Sequence, residues 1–158
     1  MPDGAITGNG DLGIVWGGKP DRVQLYIAKA DFWKGNPKSK SGGGTAPLGI
    51  IEILMPYMAY SDYSVEQDMD KAELRGYFSA NGLDTKICVS ACATENVILL
   101  EIDSACPGLS TSVDLQPIEG NDAVCERVEI GNLQYITRSF DGPELRFPTA
   151  GIAVQKEI

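Results

Sequence analysis

The chain contains no histidine, and this absence excludes several catalytic chemistries at once. Ser-His-Asp and Cys-His nucleophile systems need an imidazole, and so do many zinc sites. The four cysteines, Cys88, Cys92, Cys106 and Cys125, form no C-x-x-C pair, so neither a zinc ribbon nor a thioredoxin-like motif is supported. Cys88 and Cys92 share one parity along a predicted strand, which favours free, buried thiols, with a disulfide as the alternative. We expect no metal and no cofactor.

Basic side chains are also scarce. There are 13 Lys and Arg residues against 22 Asp and Glu residues, which gives a formal net charge of −9. An acidic surface repels phosphate backbones and anionic lipid, so we expect no nucleic-acid and no membrane partner. No apolar run approaches the roughly 20 residues of a membrane span, and we predict no signal peptide in this chain. These features leave the cellular compartment open.

The residues that are present describe an ordinary globular chain of 158 residues, 43% of them apolar, which is long enough for one core. Turn residues interrupt the sequence roughly every ten positions, a spacing that predicts an all-β fold, specifically an antiparallel β-sandwich. We predict a single domain over residues 1–158, with a flexible loop at about 34–47, where glycine and proline accumulate. The predicted strands cover residues 12–16, 22–27, 49–55, 73–79, 84–93, 96–103, 110–115, 125–130, 133–140 and 149–155.

Three stretches need individual interpretation. Residues 17–21 (GGKPD) separate the first two strands and are typical of a hairpin with a longer loop. Residues 65–76 have a near-helical apolar spacing, but Tyr77 and Phe78 favour a strand, so we predict a short strand and a turn. The chain stops within a strand-like run at 150–154, which we interpret as a truncated sandwich.

Residues 8–13 (GNGDLG) match the glycine pattern of dinucleotide-binding loops. That motif needs a buried strand before it and a helix that opens at it, so that pyrophosphate meets the helix N-terminus. Neither element is predicted here. The glycines therefore indicate a tight turn, in which asparagine tolerates left-handed geometry. The alternative is a cleft rim on which Asn9 and Asp11 hydrogen-bond sugar hydroxyls.

The aromatic residues also have two interpretations. Trp16 lies in an apolar stretch and is predicted to be core. Trp33 follows an amphipathic strand, which favours core as well, while stacking on a pyranose face is the alternative. A stacking platform is a further possibility for the larger set Trp16, Tyr26, Trp33, Tyr57, Tyr60 and Tyr63.

The order of these segments resembles a known family. The series runs from residues 8–13 through 16–18 (WGG) and 23–26 (VQLY) to 31–35 (DFWKG). It resembles the opening of the N-terminal domain of glycoside hydrolase family 95, the fucosidase family, and of related hydrolases. The resemblance continues into later parts of that domain, at residues 68–70, 90–102, 138–140 and 148–150.

The resemblance implies a partial supersandwich of the kind that precedes an (α/α)6 barrel. In such enzymes the catalytic carboxylates lie in the barrel, so the resemblance implies no catalytic residue in this chain. We expect a non-catalytic N-terminal domain of a fucosidase-like glycoside hydrolase that supports a barrel absent from this chain. Its partner is carbohydrate, through the parent enzyme, and its candidate substrate-binding residues are Asn9, Asp11 and Trp33. Whether the whole is an active enzyme is left open.

Two hypotheses of other classes stand beside this expectation. The first is an autonomous carbohydrate-binding module that uses the aromatic residues as its platform. The second is a self-associating structural domain, because the open strand edges of a partial sandwich recruit a second copy. For the isolated chain we therefore expect a homo-oligomer.

Overall fold

The computed structural model describes residues 4–34, 44–105, 110–118, 123–140 and 149–155. Over these residues the chain is nearly all strand, with one short 3₁₀-helix at Pro56–Met58 and no α-helix. The strands of the described part are β1 Ile6–Gly8, β2 Leu12–Lys19, β3 Arg22–Lys34, β4 Gly44–Leu54, β5 Asp62–Asp68, β6 Glu73–Ala80, β7 Leu83–Ala91, β8 Ile98–Ser104, β9 Ser112–Gln116, β10 Ala123–Ile130, β11 Leu133–Phe140 and β12 Thr149–Gln155. This confirms the predicted all-β class.

The strands form three antiparallel sheets. The five-stranded sheet has the order β1-β2-β3-β4-β9, the four-stranded sheet β5-β6-β7-β8 and the three-stranded sheet β10-β11-β12. Most neighbours in a sheet are also neighbours in sequence, because short turns join antiparallel strands directly. The pairing of β4 with β9 is the long-range one.

The core lies between the five-stranded and four-stranded sheets. Buried and less buried residues alternate along β2 and β6, which is the period that one buried face of a sheet requires. Trp16 on β2 reaches the other sheet, where its ring centroid lies 6.4 Å from that of Phe78. One contiguous apolar cluster therefore joins both sheets, and its buried members include Ile14, Trp16, Leu25, Ile53, Leu74, Phe78 and Ile87. This architecture is a sandwich.

The three-stranded sheet packs on the same core through Ile136, which belongs to that cluster. A second cluster forms where Phe140 stacks on Phe32 at 4.9 Å between ring centroids. Arg138 lies between Ile136 and Phe140 on the buried face of β11 and is itself buried. Its Nη1 donates a hydrogen bond to the Pro47 carbonyl. Burial lowers the pKa of the Arg138 guanidinium.

The hairpin between β2 and β3 is tighter than its sequence predicts. Residues 17–19 continue β2 and pair with residues 22–24, so the turn has two residues, Pro20 and Asp21, instead of a longer loop. A ladder of backbone hydrogen bonds needs no side chains, so glycine does not by itself end a strand. The prediction for residues 65–76 is confirmed, because β5, a turn and β6 occupy this segment.

The predicted loop at 34–47 is longer than the gap between the two strands, because β3 and β4 each extend into it. Lys34 is the last residue of β3, and β4 begins at Gly44, while residues 35–43 lie outside the described part of the chain. Pro47 is accommodated within β4 because the register of β3 and β4 shifts beside it, between Ala28 and Trp33. Such irregularities are where a strand tolerates proline.

Candidate functional site

The turn between β1 and β2 is organised by the side chain of Asn9. Its Oδ1 accepts hydrogen bonds from the backbone N–H of Asp11 at 3.0 Å and of Leu12 at 2.7 Å. Gly10 between them has a φ of +92°, which glycine adopts without strain. The motif is therefore an Asx-type turn, in which the side chain substitutes for a backbone carbonyl.

The same side chain also joins this turn to the other sheet. Asn9 Nδ2 donates to the Cys92 carbonyl at 2.8 Å and to the Glu95 carbonyl at 3.2 Å, in the segment between β7 and β8. Both polar atoms of the Asn9 amide are thus engaged within the chain. The geometry gives Asn9 a structural role, and its predicted sugar contact stays a prediction.

Asp11 and Asp31 share one lysine. Lys29 Nζ lies 3.0 Å from Asp11 Oδ1 and 2.8 Å from Asp31 Oδ1. Hydrogen bonds from Lys29 and then Asn96 hold the pKa of Asp11 below its ordinary value. The same carboxylates, first Asp31 and then Asp11, raise the pKa of Lys29. Asp11 and Lys29 are therefore both charged at neutral pH.

The backbone of Ala30 connects Asp11 to Trp33. The Ala30 N–H donates to the Asp11 carbonyl at 2.7 Å, and the Ala30 carbonyl accepts from Trp33 Nε1 at 2.6 Å. The indole is thus fixed by its only polar atom, while 52% of the residue is exposed. The structure brings all three predicted site residues, Asn9, Asp11 and Trp33, to one end of the sandwich.

We name this group the Asp11–Trp33 cluster, and it consists of Asn9, Asp11, Lys29, Asp31 and Trp33. Chemically it presents a half-exposed aromatic face beside two carboxylates that accept hydrogen bonds and an ammonium that donates them. Sequence reasoning missed Lys29 and Asp31. The available signal was that Lys29 and Asp31 alternate with Ala28 and Ala30, since alternate residues of a strand lie on one face. This pattern places both charged side chains on one face of β3.

The two tryptophans differ in outcome. Trp16 is 5% exposed, so its predicted core position is confirmed. The core interpretation that the amphipathic strand favoured for Trp33 is wrong, because the register shift turns Trp33 outward and buries Phe32 instead. The six aromatic residues also form no single platform, since Trp16 is buried in the core and Tyr57 packs against the same core cluster.

The cysteines of the described residues, Cys88, Cys92 and Cys125, are free, whereas Cys106 lies outside this part. The prediction of buried thiols is wrong for Cys92, which is exposed because β7 ends at Ala91 and the segment beyond it leaves the sheet. Cys88 and Cys125 are partly buried. Hydrogen bonds from Thr94 and from the Glu95 backbone lower the pKa of the Cys92 thiol.

Among the described residues, no group of three or more His, Cys, Asp or Glu side chains is arranged to hold a metal ion. Within the same ranges, no helix has the length and apolar character that a membrane crossing requires. No family model and no curated protein sequence matches this chain.

Proposed function

We propose that this β-sandwich is a non-catalytic domain that contacts carbohydrate through the Asp11–Trp33 cluster, within a glycoside hydrolase of the fucosidase-like kind. The observation that carries the proposal is the Trp33 indole. It is half exposed, yet its Nε1 is already bonded to the Ala30 carbonyl. A large apolar surface held outward is typical of a contact site rather than of a core.

The groups around Trp33 fit a sugar. One face of a pyranose carries mainly C–H groups, which pack against an aromatic ring, and the hydroxyls at its rim need hydrogen-bond partners. Asp31 is exposed and offers carboxylate oxygens, while Lys29 between the two aspartates offers a donor. A few polar groups beside an aromatic face are the usual composition of small-molecule sites.

The electrostatics favour binding over catalysis. Glycoside hydrolysis needs a protonated carboxyl as general acid beside a second carboxylate. Asp11 has a lowered pKa, so it is ionised at neutral pH and has no proton to donate. Lys29 Nζ lies 3.0 Å from Asp11 Oδ1 and 2.8 Å from Asp31 Oδ1, so it pairs with both side chains. In this cluster Asp11 is therefore a hydrogen-bond acceptor.

The resemblance supports the same site. It is moderately specific over the first 35 residues, in which Asp11 directly precedes β2 and Trp33 lies near the end of β3. The structure brings Asp11 and Trp33 to the same Ala30 peptide. Residues that carry a family-like pattern and also meet in space indicate a shared role.

Calorimetry with fucosyllactose tests the proposal on the whole chain. We expect binding, and we expect Trp33→Ala to weaken it about tenfold, which corresponds to about 1.4 kcal/mol. The matched control is Tyr60→Ala, since Tyr60 is fully exposed and lies outside the cluster. Absence of binding at millimolar fucosyllactose, or equal affinity of Trp33→Ala and Tyr60→Ala, would contradict the proposal.

A further inference from the structure

An open cleft of about 640 Å³ lies at the end of the four-stranded sheet where β5 begins, β6 ends and β7 begins. It is far from the Asp11–Trp33 cluster. Asp84 lines the cleft near the start of β7, whereas Cys92, which contacts Asn9, follows the end of the same strand. Eight residue steps along a strand span about 26 Å. The cleft is a separate surface at the opposite end of the sandwich.

Two tyrosines line this cleft, and each is held by a partner of the chain itself. The Tyr63 ring stacks on Phe78 at 6.0 Å between centroids and 9° between planes, and Phe78 in turn stacks on the core residue Trp16. The Tyr77 ring has Lys86 Nζ 5.9 Å from its centroid. Both tyrosines are nevertheless more than a third exposed. Rings fixed before binding lose little conformational entropy when a ligand stacks on them.

The polar groups of the cleft are arranged by strand register. Tyr77, Lys86 and Asp103 are register partners across β6, β7 and β8, so they share the outer face of the sheet. Asp62 and Asp84 line the same cleft and share this face, because both pair with Ser79, two residues along β6 from Tyr77. Tyr63 pairs with the buried Phe78 and so lies on the other face of the sheet, where β5 begins. Three carboxylates accept hydrogen bonds and one ammonium donates them, and their excess of negative charge disfavours anionic ligands.

We infer that this tyrosine cleft, lined on the outer face by Asp62, Tyr77, Asp84, Lys86 and Asp103 and bordered by Tyr63, is a second carbohydrate-contact site that takes a neutral sugar residue within a glycan chain. The inference rests on the proposed function. Because the cleft is open, the chain can continue on both sides of the bound residue, unlike in an enclosed pocket for a terminal sugar. The acidic lining selects neutral glycans over uronates and sulfated sugars.

Affinity electrophoresis in gels that contain neutral, fucosylated xyloglucan separates the two sites. Wild type and Trp33→Ala are compared with two double variants, Trp33→Ala/Tyr77→Ala and Trp33→Ala/Tyr60→Ala. We expect Trp33→Ala to keep part of the retardation, and Tyr77→Ala to weaken that remainder roughly fivefold to tenfold. Tyr60→Ala leaves it unchanged, and gels that contain polygalacturonate retard none of the proteins. Tyr77→Thr keeps the strand preference and replaces Tyr77→Ala if the latter does not fold.

The outcomes distinguish the two proposals. If Trp33→Ala removes all retardation, or if the Tyr77 and Tyr60 double variants behave alike, the tyrosine cleft is not a carbohydrate site while the proposed function stands. If polygalacturonate retards the chain as strongly as xyloglucan does, the selectivity for neutral glycans is wrong. If wild type itself is not retarded, both proposals fail.

Discussion

The two tryptophans of the chain occupy opposite environments, although both follow apolar alternation in sequence. Trp16 is 5% exposed between two sheets, whereas Trp33 is 52% exposed at one end of the sandwich. Along β3, every second residue from Val23 to Ile27 is buried. If this alternation continued, Trp33 would be buried as well. The register of β3 and β4 then shifts, so that Phe32 is buried in place of its neighbour. Parity along a strand predicts burial only while the pairing is regular.

The largest expected effect separates these two residues by stability. Trp16→Ala leaves a cavity between the sheets, and we expect it to lower the free energy of unfolding by about 3–5 kcal/mol. Trp33→Ala removes one exposed ring and one hydrogen bond, for which about 1 kcal/mol or less is expected. Urea denaturation of both variants measures the difference. Equal losses in the two variants would contradict the assignment of Trp33 to the surface.

A smaller effect is expected at Gly76, which faces Trp16 in the core. A Cβ at this position would lie 2.6 Å from Trp16 Cη2 and 2.9 Å from Phe78 Cε2, so the rings must shift. We expect Gly76→Ala to lower the free energy of unfolding by about 1–3 kcal/mol, as overpacking does. The matched control is Gly13→Ala on β2, where a Cβ meets no atom within 4 Å. An equally stable Gly76→Ala protein would show that this region is loosely packed.

Local patterns predicted the fold class and most strands, because apolar alternation and turn-forming residues are visible within a few consecutive positions of the sequence. They also placed Asn9 in a tight turn. They did not reveal that Asn9 bonds to Cys92, 83 residues away in sequence, because no local pattern encodes such a contact. Trp33 was misassigned for a related reason, since a register shift depends on the partner strand. The site therefore needed the tertiary structure, whereas the fold class did not.

Asn9 connects the turn between β1 and β2 to the segment between β7 and β8 of the four-stranded sheet, so we expect its replacement to lower stability. We expect Asn9→Ala to lower the free energy of unfolding by about 1–2 kcal/mol, because four hydrogen bonds are lost in a partly exposed place. Asn9→Asp keeps the Oδ1 acceptor and loses the donor, so an intermediate loss is expected. Thermal melts of the two variants check this order. An Asn9→Ala protein with unchanged melting and weakened fucosyllactose binding would instead place Asn9 in direct sugar contact.

The smallest expected effect is a pH dependence of stability that comes from the Asp11–Lys29 ion pair. The pKa of Asp11 is lowered in the folded chain, so its interaction with Lys29 stabilises the fold above the unfolded pKa of about 3.9. That contribution is lost as the pH falls through the lowered folded value. The melting temperature of wild type should therefore exceed that of Asp11→Asn at neutral pH, and the gap should close in strong acid. Molar salt should narrow the gap at neutral pH, because the ion pair is exposed. A gap that is independent of pH would contradict this ion-pair account.

Iodide quenching of tryptophan fluorescence tests the central claim most directly, because the chain has only two tryptophans. Iodide should quench Trp33 and spare Trp16, and saturating fucosyllactose should protect Trp33 from the quencher. Trp33→Phe should retain only the shielded emission of Trp16, with no response to the sugar. Quenching of the wild type that stays the same from zero to millimolar fucosyllactose would contradict the claim that Trp33 forms a carbohydrate-contact surface.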